Sequence, residues 1–104
     1  MARWNRYHDH AEATQLMQQL AHAHADRARL KSLGKSYGGR EMWVLTITNF
    51  GQGGEQHKAG VWIDGGIHAN EVQGTEVALY TAWYLLEMYE HNAQVRQLVD
   101  DRVF

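Results

Sequence analysis

No cysteine and no proline occur among the 104 residues, and neither sign of charge dominates. Without cysteine there is no disulfide framework, no thiolate nucleophile and no cysteine-based zinc site, so any metal must be held by histidine, glutamate or aspartate. Ten lysines and arginines against twelve acidic residues leave a formal charge of −2, too weak a field to draw in nucleic acid or an anionic membrane surface. Long apolar runs are also missing. The most apolar stretch, Val77 to Tyr89, is interrupted by Thr81 and Glu87 and falls short of the roughly 20 residues that span a bilayer. The opening Met1-Ala2-Arg3-Trp4-Asn5-Arg6-Tyr7 has neither the apolar stretch nor the small-residue cleavage site of a secretory signal. Neither nucleic acid nor a membrane is an expected partner.

What is present suits one globular domain. The hydrophobic share is 44%, and a chain of this length buries roughly two thirds of its unfolded surface, enough for a single core. From about Asp9 to Asp26, Leu16, Met17 and Leu20 recur at helical spacing among polar residues, which predicts an amphipathic helix. Arg29–Tyr37 and Glu41–Asn49 flank Gly38-Gly39, and the second of them is rich in β-branched and aromatic residues, so the pair reads as a hairpin. Phe50 to Gly60 carries four glycines and reads as a loop. Val61-Trp62-Ile63 then predicts a buried strand that ends at Asp64-Gly65-Gly66. A core helix is expected after Asn70, running to about His91, then a short helix at Val95–Val99 and the start of a strand at Asp101–Phe104. This order implies an α/β fold, a mixed β-sheet flanked by helices in three αβα layers.

Chemistry concentrates in Gly65-Gly66-Ile67-His68-Ala69-Asn70-Glu71, where a strand ends and a helix begins. A catalytic zinc ion takes imidazole nitrogen and carboxylate oxygen at about 2.0–2.2 Å, with three protein ligands and one open position. His68 is the only one of the seven histidines with a glutamate three residues on, and it falls at the strand-to-helix junction where open α/β sheets place ligands. The same residues also suit plain helix initiation. Asn70 is a good N-cap, Gln73 completes a capping-box-like pair, and Glu71 complements the helix dipole.

Other features carry less. Gly34-Lys35-Ser36 lacks the glycine that a phosphate-binding loop requires at position 29, where Arg29 stands. His8, His10, His22, His24 and His57 read as surface histidines, since residues two apart on a helix point in different directions. The tryptophans and tyrosines are assigned to packing.

In these motifs the chain resembles the N-terminal part of the zinc carboxypeptidase domain. The opening helix after Tyr7-His8 matches in order with Gly34-Lys35-Ser36-Tyr37-Gly38-Gly39-Arg40 and its following strand, and with Trp62-Ile63-Asp64-Gly65-Gly66-Ile67-His68-Ala69-Asn70-Glu71. The resemblance implies that residues 1–104 are one portion of a single catalytic domain and that His68 and Glu71 bind one zinc ion. It further implies a third ligand, the carboxylate-binding arginines, a tyrosine and the general-base glutamate outside these residues, so that none of the catalytic residues falls here. The activity implied is zinc-activated attack of water on the C-terminal bond of a peptide or protein with a free carboxylate, with the segment silent by itself. Digestive-type members place an arginine just before the metal-binding glutamate, where this chain has Asn70. Asp64 is expected either to orient a ligand or to stabilise the turn. Two alternatives are a small-acyl deacylase of the aspartoacylase or succinylglutamate desuccinylase type, and a non-catalytic pseudo-peptidase binding domain.

Overall fold

The computed structural model describes residues 2–104. Helix α1 spans His10–Ala23, with the Asp9 side chain accepting from the Glu12 N–H as its cap. It closes three residues earlier than the pattern predicts, because the His24 carbonyl accepts from the N–H groups of both Arg27 and Ala28 and turns the chain into the next strand. Strands β1 (Ala28–Lys35) and β2 (Glu41–Ile47) pair antiparallel, Ala28 opposite Ile47 and Ser32 opposite Trp43. The predicted glycine turn joins them, with Gly39 at φ +81°, a conformation open to glycine at little cost.

After a 3-10 turn at Glu55–His57, β3 (Ala59–Gly60) runs parallel to β4 (Arg102–Val103). Ile47 and Phe104 exchange two backbone hydrogen bonds of 2.8 and 2.9 Å, which joins the two strand pairs in the order β1-β2-β4-β3. The sheet is thus mixed, as the order of elements implied. Helices α2 (Val72–Met88) and α3 (Ala93–Asp101) complete the fold. In α3 the Asn92 side chain caps the N–H groups of Gln94 and Val95. The core gathers Leu16 and Leu20 of α1, Ala28 and Ile47 of the hairpin, Leu79, Leu85 and Leu86 of α2, and Val95 and Val99 of α3. Burying each of the larger side chains contributes roughly 1.5–3 kcal/mol.

Three expectations are corrected. The strand predicted at Val61–Ile63 is instead exposed, with Trp62 77% accessible. Its pairing ends when the Val61 N–H donates to Val103 at 2.7 Å, because Phe104 turns its hydrogen bonds to Ile47. Asn70 does not cap α2: Glu71 occupies the cap position, and no side chain caps the helix. Finally, α2 is only partly covered, since Val72, Val77 and Tyr80 remain exposed. Among the described residues no helix is long and apolar enough to cross a membrane.

Candidate metal centre

Two glycines decide how the extended segment meets α2. A Cβ on Gly65 would lie 2.2 Å from the Gly74 carbonyl oxygen, and one on Gly66 would lie 2.5 Å from Thr75 Oγ1. Only hydrogen at both positions lets the segment lie this close to the Gly74 backbone and the Thr75 side chain. Gly66, at φ +79°, then turns the chain away from the helix, so that residues 67–71 arch over its first turn.

The arch closes on itself. The His68 carbonyl accepts from the Glu71 N–H at 3.0 Å. Glu71 Oε1 accepts from the His68 backbone N–H at 3.2 Å and lies 2.6 Å from the imidazole Nδ1. Both side chains face solvent, 76% and 48% accessible. His68 and Glu71 therefore converge, and Glu71 does so by turning its carboxylate back to the arch instead of capping the helix.

The donor set fits half of a zinc site. Two ligands at about 2.1 Å on a tetrahedral ion stand roughly 3.4 Å apart, so the Nδ1···Oε1 pair needs to open by less than about 1 Å. Among the described residues no group of three histidine, aspartate or glutamate side chains is placed to hold a metal ion. Asp64 is turned elsewhere and accepts from Trp62 Nε1 at 2.5 Å.

A separate feature adjoins the arch. An open apolar trough of about 720 Å³ runs between β2, the extended segment and α2, with Gly65 and Thr75 among its lining and with Trp43, Ile63, Leu85 and Phe104 on its walls. His68 and Glu71 do not line it.

Two pairs escaped the sequence reading. His8, expected on the surface, has a side chain only 7% accessible, and its Nδ1 sits 2.7 Å from Glu76 Oε2. His24 is likewise drawn in, 15% accessible and 3.1 Å from Glu87. Partners 68 and 63 residues away leave no local signal; only the amphipathic faces of α1 and α2 hint that the N-terminus lies near α2.

Comparison with known proteins points one way. A sequence profile of the zinc carboxypeptidase family matches residues 13–104. A metallocarboxypeptidase A from Trichophyton tonsurans is 35% identical over 95 residues, covering 91% of this chain and 22% of that protein. Carboxypeptidase M from Mus musculus is 29% identical over 98 residues, covering 91% of this chain and 21% of its own length. The crystal structure of thrombin activatable fibrinolysis inhibitor superposes with a TM-score of 0.82 at 22% identity, over 96% of this chain and 25% of that one. This last likeness is one of fold. The chain thus spans about a fifth of the length of the two relatives.

Proposed function

The chain belongs to the zinc carboxypeptidase family, and from that premise we propose that it contributes His68 and Glu71 as two ligands of one zinc ion in a metallocarboxypeptidase active site. The observation that supports this most is the 2.6 Å approach of imidazole Nδ1 to carboxylate Oε1 in the arch that leads into α2. When bound, zinc supplies Lewis acidity, which makes a water nucleophilic near neutral pH and polarises a carbonyl. His68 and Glu71 hold the ion and fix its place relative to the sheet. The Gly65–Gly74 contact keeps the arch seated on the helix.

The third ligand, the clamp for the substrate's terminal carboxylate and the general base belong, in this reading, to polypeptide other than these 104 residues. Two features support that division: the described residues offer no three-ligand group, and the apolar trough is a surface that further strands of one domain would cover. The substrate class is a peptide or protein with a free C-terminal carboxylate. By itself the 104-residue chain is expected to be silent, since two protein ligands hold zinc weakly and the base is absent. The named relatives are carboxypeptidases, which favours peptide cleavage over small-acyl hydrolysis.

A chimera tests the proposal. The matched segment of the Trichophyton tonsurans enzyme is replaced by this chain, and hydrolysis of peptides with free and amidated C-termini is compared with and without chelator. Chelator-sensitive cleavage of the free-acid peptide alone, lost in His68→Ala, is expected. Cleavage that persists in chelator or in His68→Ala would overturn the assignment.

A further inference from the structure

Glu71 caps α2 without a side-chain hydrogen bond, and every residue from Ala59 to Glu71 is exposed. The placement of the metal pair therefore depends on how firmly the first turns of α2 are held. One hold is the backbone contact of Gly65 and Gly66 with Gly74 and Thr75. The second is Glu76, whose carboxylate accepts from the His8 backbone N–H at 2.6 Å and faces the His8 ring nitrogen at 2.7 Å.

That second hold is largely sealed from water, with the two side chains 7% and 17% accessible. The Trp4 ring lies over it, 5.6 Å from His8, 5.1 Å from Tyr80 and 5.7 Å from Trp83. Arg6 does not compete for the carboxylate, because Glu12 holds it at 2.9 Å. Gly74 and Thr75 stand about 200° and 100° around the helix from Glu76, so the two holds grip different faces of α2. A carboxylate that receives both a backbone and a ring donor of one residue resists rotation and sliding of the helix together.

We propose that His8 and Glu76 are positioning residues for the metal pair: the N-terminal segment Ala2–Asp9 is a strap that fixes the start of α2 and, through it, the separation of His68 and Glu71. This rests on the metal reading above and goes beyond it, since the strap touches neither ligand.

The test follows the His68 ring signals of the isotope-labelled chimera described above, which brings the remaining ligand, as Zn2+ is added to its metal-free form, in wild type, Glu76→Ala, Glu76→Gln and His8→Ala, with core amide exchange at Leu86 and Val99 as the control for folding. The expected result is about tenfold weaker zinc binding at His68 in Glu76→Ala and His8→Ala, the low end for groups that orient metal ligands. Core protection should be unchanged, and Glu76→Gln, which still accepts from the His8 N–H, should recover part of the loss. Equal zinc affinity at His68 in all four proteins would overturn the positioning role and leave the metal reading intact. A wild-type His68 that ignores Zn2+ would overturn both. Loss of core protection along with affinity in every variant, Glu76→Gln included, would also overturn it, because the strap would then serve stability alone.

Discussion

Gly65 and Gly53 separate two uses of glycine in this chain. Gly65→Ala places a methyl 2.2 Å from the Gly74 carbonyl oxygen, and no flexible side chain is there to yield. We expect a loss of about 1–3 kcal/mol or more from overpacking, together with a displaced arch. Gly53, at φ +76° with only Lys58 Cε at 4.0 Å, should lose about 1 kcal/mol from backbone strain alone. Denaturant unfolding of the two alanine variants checks the order, and a Gly65→Ala variant as stable as wild type would remove the proposed seat of the arch. The proximity of His68 and Glu71 was legible in the sequence because three residues across a turn is a local relation. The His8–Glu76 pair was not, because its two halves meet only after α1 and α2 have packed.

At the scale of elements, α3 and α2 begin differently although both have an asparagine near the start. Asn92 accepts from two backbone N–H groups, whereas α2 has no side-chain cap. Asn92→Ala is therefore expected to cost about 1 kcal/mol and Asn70→Ala close to nothing, as thermal melts would show. Sequence favoured Asn70 as a cap on residue type alone; the glycine turn instead carries the chain past it before the first helical residue. A second junction ties the end of α2 to α3. Tyr89 donates its hydroxyl to Asp100 at 2.6 Å, and Asn49 donates to the same oxygen at 2.9 Å.

Burial and then the Asp100 carboxylate hold the Tyr89 phenol above its ordinary pKa, opposed by the Asn49 hydrogen bond and the Arg27 charge. Below about pH 10 folded and unfolded chains both keep this proton. Above it the unfolded phenol ionises first, so the fold binds more protons and stability falls as pH rises until the folded group ionises as well. Tyr89→Phe should make the alkaline loss of stability shallower, measured by urea midpoints at neutral and alkaline pH. An unchanged slope would contradict the assigned cause.

Across the whole molecule, the hairpin, the helices and the mixed sheet followed from periodicity and glycine placement, while the exposure of Val61–Ile63 did not. An apolar run shows that a segment is suited to burial, and whether it is buried depends on which strands lie beside it. Here β4 pairs only as far as Val103 before Phe104 turns to β2. Limited chymotrypsin digestion should therefore cut after Trp62, which is 77% accessible, well before it cuts after the core-packed Trp83. Early cleavage at Trp83 would mean that α2 is not held as described. The central claim, that one imidazole and one carboxylate share a cation in the arch that leads into α2, is tested most directly by the ring nitrogens of His68. In a zinc titration of the 15N-labelled chain, Nδ1 of His68 should shift as metal binds, and Glu71→Ala should abolish the response. A response confined to exposed histidines such as His22 and His91, with His68 unmoved, would contradict it.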